Sequence, residues 1–137
     1  MNRTQATLAS TALMMCAAAT AGPYDQPYGL IESGDRLQTQ KQEPAAISRI
    51  DGNSVRNPRK SDPLTPGKHV VEISFSSARA VVADTLQTVE IDIQPCKRYR
   101  IAAKYESAVS GRWEPVVQAV EDIGECKGKF LSGAVKK

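Results

Sequence analysis

His69 is the single histidine of the chain, so a histidine-rich metal site is excluded and any Ser/His/Asp relay would have to run through it. It alternates with Val71 and Ile73, which is the setting of a half-buried strand histidine whose ring bonds to nearby backbone. That structural role is the expectation. Asp51, Asp62 and Glu72 lack a spacing that supports paired-carboxylate catalysis. Neither a Gly-rich phosphate loop nor a Gly-x-Ser-x-Gly elbow occurs in the sequence. The reading is therefore of a non-enzymatic protein with no catalytic residue, no cofactor and no metal ligand. Tyr99, Tyr105 and Trp113 are the remaining candidates, because aromatic faces can stack on a sugar or another small ligand. With only 5% aromatic residues, the same three also suit the role of large anchors in an aliphatic core. Arg56, Arg59 and Lys60 could touch an anionic surface, but such a run in a loop is more simply a solvated turn.

The cysteines are tied to the question of compartment. Residues 1–21 read as a signal peptide. Arg3 forms a short positive start, Ala6 to Met15 an uncharged apolar stretch, and Ala19-Thr20-Ala21 a small-x-small cleavage site before Gly22. Leu13-Met14-Met15-Cys16 gives a second reading. It resembles the lipobox of bacterial lipoproteins, in which the cysteine is lipidated, but Met15 stands where that pattern has Gly, Ala or Ser. Either route removes or acylates Cys16 and leaves Cys96 and Cys126 as an even pair in an oxidising compartment. Neither lies in a Cys-x-x-Cys motif and no histidine is near, so a structural disulfide is expected rather than a metal site. Such a bridge stabilises a fold by about 3–4 kcal/mol in the chain-entropy account.

At 137 residues the chain suits one small domain, and 41% hydrophobic with 24% charged residues excludes wholesale disorder. No apolar run approaches the ~18–20 residues of a membrane-spanning helix. The formal charge is +3, and loss of Arg3 leaves 17 basic against 15 acidic residues, too little excess to imply nucleic acid.

Four segments are expected. After the leader, residues 22–44 read as a flexible linker rich in Pro, Gly, Gln and charge, without period 2 or 3.6. Residues 45–128 read as the folded domain and 129–137 as a flexible tail. Within the domain, the run Ala45 to Ile50 ends at the turn pair Asp51-Gly52. Residues 53–67 read as a proline-rich loop with at most a brief edge strand. His69, Val71, Ile73 and Phe75 then share one strand face. A second strand spans Leu86 to Ile93 and a third Arg98 to Glu106, with Tyr99, Ile101, Ala103 and Tyr105 inward. Their short connection, Gln94-Pro95-Cys96, predicts a hairpin that sets Asp92 against Arg98 and Glu90 against Arg100. A last strand near Trp113 to Ile123 is apolar on both faces, as a covered inner strand would be. Residues 77–86 read as a helical turn or a loop. The sum is an all-β chain, a small antiparallel sandwich of about five to seven strands.

Two stretches carry resemblances. Ile50-Asp51-Gly52, with Leu64-Thr65-Pro66-Gly67-Lys68-His69-Val70-Val71-Glu72-Ile73, is similar to the pattern of PEGA-like surface-layer and lipoprotein modules. Pro95-Cys96-Lys97-Arg98-Tyr99, Arg112-Trp113-Glu114-Pro115-Val116-Val117 and Val120 to Cys126 resemble an uncharacterised family of small exported bacterial proteins, often lipoproteins. The first resemblance implies an immunoglobulin-like or transthyretin-like sandwich. The second implies location but no activity. The expected role is an interaction or structural module of the cell envelope, periplasmic or held to a membrane through Cys16, with envelope proteins or polymers as partners. The alternative is a small-molecule or glycan-binding module built on the Tyr and Trp side chains.

Overall fold

Alternation of apolar and polar residues settles most of the elements. A computed structural model of the protein describes residues 22–77 and 85–131. In chain order the strands are β1 (Leu30–Ser33), β2 (Gln42–Pro44), β3 (Ala46–Ile50), β4 (Asn53–Ser54), β5 (Gly67–Ser74), β6 (Leu86–Ile93), β7 (Lys97–Tyr105) and β8 (Trp113–Asp122). Short helical turns occupy Gln38–Gln40 and Gly124–Cys126, the latter continued by Lys127–Leu131. The leader with Cys16, most of the 77–86 connection and residues 132–137 lie outside the described residues.

The strands form two sheets of four, a small all-β sandwich. One runs β4-β3-β5-β6, antiparallel throughout. The other is centred on β7. Strand β8 lies along one edge of β7, while β1 (parallel) and β2 (antiparallel) share the other edge end to end. Inward residues of both sheets meet in one core: Ile47, Val71, Ile73, Ile91 and Ile93 from the first, Ile31, Tyr99, Ile101 and Ala103 from the second. Phe75 and Trp113 close one end of that core, ring centroids 5.2 Å apart. At the other end the Cys96 and Cys126 sulfurs lie 2.05 Å apart, packed with Tyr28, Leu30 and Ile123.

Five expectations change. Residues 22–44 are no linker: Tyr28, Leu30 and Ile31 are buried, and β1 and β2 both bond to β7. Strands of four and three residues are too short to display a period, and their partner lies 58 to 68 positions away. The β6–β7 hairpin does not form. The chain instead crosses from one sheet to the other at Gln94-Pro95-Cys96, with Cys96 at φ 58°. Alternation dictated that Ile91 and Tyr99 both point inward, and they do, but across the core rather than side by side. The expected ion pairs change accordingly. Arg98 reaches Glu32 (3.2 Å), Arg100 reaches Asp35 (3.0 Å) and Glu121 (3.3 Å), and Glu90 faces Lys68 (3.6 Å). Strand β8 is an edge strand, with Val117 and Val120 exposed rather than covered. Finally, the expected tail begins too early, because Lys129 bonds to the Tyr24 carbonyl (2.9 Å) and Phe130 packs on the disulfide cluster. The strand count, eight among the described residues, exceeds the five to seven expected.

Candidate functional site

The end of the sandwich that carries Trp113 opens into a cleft of about 530 Å³. Its lining comes from the start of β6 (Gln87), the end of β7 (Lys104, Tyr105), the following turn (Glu106, Gly111, Arg112) and the start of β8 (Trp113, Glu114). The ladder positions these side chains in pairs. Tyr105 stands opposite Trp113 on the inward face and Lys104 opposite Glu114 on the outward face. The connecting turn is pinned by Ser110 on Ser107 and by Glu106 N–H donating to the Arg112 carbonyl (3.2 Å). Its Gly111 adopts φ 70°, a conformation that suits glycine. Across the turn, Arg112 Nε lies 3.2 Å from a Glu106 carboxylate oxygen. On the β6 side, the Gln87 amide donates to the Trp113 carbonyl (2.5 Å), tying the two sheets at the cleft floor. The result is a cleft whose aromatic lining is half-buried Tyr105 with Trp113, itself only 6% exposed, and whose rim carries two cations and two anions.

Of the three aromatic candidates, the structure brings Tyr105 and Trp113 together and leaves Tyr99 elsewhere. Tyr99 is buried at the opposite end, where its hydroxyl donates to the Asp92 carbonyl (3.1 Å) and accepts from the Gln94 N–H (2.9 Å). It bridges the crossover between the sheets. Gln87, Lys104, Glu106, Arg112 and Glu114 were not singled out from sequence. Their convergence needs the β7–β8 register and the approach of β6, and neither leaves a mark in local residue order. A clue existed in the turn itself, since the only tryptophan follows a Gly-Arg pair across from Tyr105.

His69 has both ring nitrogens engaged. Nδ1 lies 2.5 Å from Asp51 Oδ2 and Nε2 lies 2.7 Å from the Thr65 carbonyl. Two acceptors around one ring suit the doubly protonated imidazolium. Partial burial pulls its pKa down, but the bonds to Thr65 and Asp51 together outweigh that and the net shift is upward. Asp51 also accepts the Val70 N–H through Oδ1 (2.9 Å). That bond first, and His69 second, hold its carboxyl below the usual range. The trio clamps the turn after β3 onto β5. Asp51 itself sits at φ 51°, a left-handed position that Asp tolerates, followed by Gly52 at φ 81°.

In the basic loop, Arg56 faces Asp62 (3.6 Å) and Lys60 faces Glu32 (3.8 Å). Among the described residues, no three His, Cys, Asp or Glu side chains gather into a metal-holding group. No described helix is long and apolar enough to cross a membrane.

Fold and site together define a small two-sheet β-sandwich with an aromatic-lined cleft at one end. Neither a protein family, nor a curated protein, nor a solved structure matched the chain in comparison.

Proposed function

We propose that this chain is a non-enzymatic interaction domain of the bacterial cell envelope, and that its cleft receives a sugar ring of an envelope polymer. The cleft carries the reading. Half-buried Tyr105 supplies the accessible apolar surface that the C–H side of a pyranose ring requires, beside the 6% exposed Trp113, and Lys104, Glu106, Arg112 and Glu114 offer hydrogen-bonding partners for its hydroxyls. The rim's balanced charge favours a neutral ligand over an anion. Export is supported by the leader pattern of residues 1–21 and by a disulfide that persists in oxidising compartments. A binding role rather than a catalytic one is supported by His69, whose nitrogens are both occupied by structural partners.

Trp113 is the sole tryptophan and reports directly on the cleft. Titrating the exported protein with a disaccharide-containing peptidoglycan fragment will shift its emission saturably in the millimolar range or below. Tyr105→Ala will weaken that response about fivefold to tenfold. An emission spectrum unmoved by neutral glycans of several kinds refutes the ligand class. The mass of the exported form tests the compartment separately: a chain starting at Gly22, or one acylated at Cys16 and converted to a non-acylated form by Cys16→Ser, supports export. An unprocessed cytoplasmic chain refutes it.

A further inference from the structure

Pro58 to Thr65 forms a strap down one flank of the sandwich, and its bonds reach both sheets. The Pro58 carbonyl accepts the Ile47 N–H of β3 (2.8 Å). On the β1 side, Ser33 N–H donates to the Arg59 carbonyl (2.8 Å) and Ser61 N–H to the Ile31 carbonyl (2.8 Å). Ser61 is buried, and its hydroxyl accepts the Ile31 N–H (2.9 Å). The last backbone tie is Leu64, which exchanges bonds with Gly29 (2.8 and 2.9 Å). Beyond it Pro66 has no N–H to give, and Gly67 turns at φ 127°. Among the described residues, the contact that fixes this end of the strap is the Thr65 carbonyl on His69 Nε2 (2.7 Å).

A ring between two acceptors needs two protons, and His69 Nδ1 also faces Asp51 Oδ2 at 2.5 Å. Neutral imidazole carries one N–H and can serve only one of them. The carboxylate is the stronger acceptor, so the remaining proton stays on Nδ1 and Nε2 turns a lone pair toward the Thr65 carbonyl. Thr65 is exposed, so water replaces the lost donor. We infer that His69 is a pH latch on the strap: doubly protonated it locks the strap's end to β5, and loss of one proton frees Leu64 and Thr65 while the Asp51 turn stays clamped. Leu64 walls a pocket of about 220 Å³ together with Ile50, Val55, Asp51 and Asp62, and release of the strap opens that pocket on the flank. The charged group bonded to the ring is Asp51. On β6 the residue opposite His69 is Ile91; Lys68 of its own strand pairs with Glu90 (3.6 Å), and Asp62 of the strap with Arg56 (3.6 Å). Partial burial lowers the pKa of the ring, but the bonds to Thr65 and Asp51 outweigh it, so release falls above the ordinary 6.5. The latch shares no residue with the lining of the Trp113 cleft and is independent of what the cleft binds.

Amide exchange of the exported protein, followed residue by residue by NMR from pH 5.5 to 8.5 and corrected for intrinsic base catalysis, reads the strap directly. Protection of the Leu64 and Gly29 N–H groups will fall about threefold to tenfold through the His69 titration, while that of Val70 N–H, held by Asp51, will not. Ring nitrogen shifts of His69 will show the alkaline form protonated at Nδ1. Asp51→Asn will keep the strap closed at both ends of the range, because a neutral amide no longer draws the proton to Nδ1 and the Nε2–H tautomer retains Thr65. His69→Phe will leave the strap open throughout; should that variant fail to fold, Asp51→Asn decides. An alkaline ring protonated at Nε2 overturns the inference. So does protection of Leu64 and Gly29 that stays constant in the native chain, or that falls as far in Asp51→Asn.

Discussion

The clamp of Asp51, His69 and Thr65 makes the stability of the domain depend on pH in a direction the geometry dictates. His69 has a folded pKa raised above its ordinary 6.5, so the stabilisation it provides is complete below that value and is lost as pH rises through the folded one. Asp51 is lowered from 3.8, so its share is complete above that value and is lost as acid approaches the folded one. The clamp is therefore strongest between the two ordinary values, and alkali weakens it first. Losing the imidazolium removes one ring proton; the carboxylate, the stronger acceptor, keeps the proton on Nδ1, so the Nε2 bond to the Thr65 carbonyl is lost and the bond to Asp51 loses its charge assistance. Such a bond contributes about 1.5–3 kcal/mol when shielded. The Asp51 side chain is 45% exposed, and water screening brings the figure to about 1 kcal/mol. For a domain of this size that is a fall of about 4–8 °C in melting temperature. The assay is urea or thermal unfolding near pH 5.5 and again near 8.5, with Asp51→Asn as control, since Asn tolerates the left-handed turn and can still accept from Val70. The control will lose most of the pH difference. Equal stability at both pH values in the native chain, or an undiminished difference in Asp51→Asn, refutes the argument.

Other perturbations probe the parts of the fold that the first strand and the crossover build. Gly29→Ala would place a Cβ 2.2 Å from the Ile93 Cγ2 atom, which is locked in the core, so the variant will unfold about 1–3 kcal/mol more easily in urea. An unchanged midpoint would show that the segment before β1 is not seated on β6. Replacing Cys96 and Cys126 together by Ser will cost about 3–4 kcal/mol by the same measurement, given the thirty-residue separation. Because Cys96 N–H donates to the Tyr28 carbonyl (2.8 Å), the double variant will also speed hydrogen exchange around residues 28–31. Exchange that accelerates only near Cys126 would contradict that coupling.

Much of the fold was legible in residue order, and the reasons can be seen strand by strand. β5, β6 and β7 are long enough for period two to be unmistakable, and the faces it assigned to Val71, Ile73, Ile91, Ile93, Tyr99 and Ile101 are the faces found in the core. Asp51-Gly52 marked a real turn, because few residue pairs accept two successive positive φ angles. Cysteine arithmetic named Cys96 and Cys126 as partners before any geometry was known. Two of the eight described residues that line the cleft were legible too, Tyr105 and Trp113.

Which strand lies beside which was decided only in three dimensions. Alternation states which way a side chain points, and that constraint is met equally by a hairpin within one sheet and by a crossover between two. The choice at Gln94-Pro95-Cys96 fell to the crossover although β6 is an edge strand, since both edges of β7 are taken, by β8 on one side and by β1 and β2 on the other, as the centre of the second sheet. Leu30-Ile31 looked like linker because a four-residue strand has no periodicity of its own and gains its order from β7. Outward charges paired wherever an opposite charge was carried to them, as Arg98 and Arg100 did with Glu32, Asp35 and Glu121. Local chemistry thus determined the faces, the turns and the sulfur pair, while neighbours were chosen by burial summed over the whole chain.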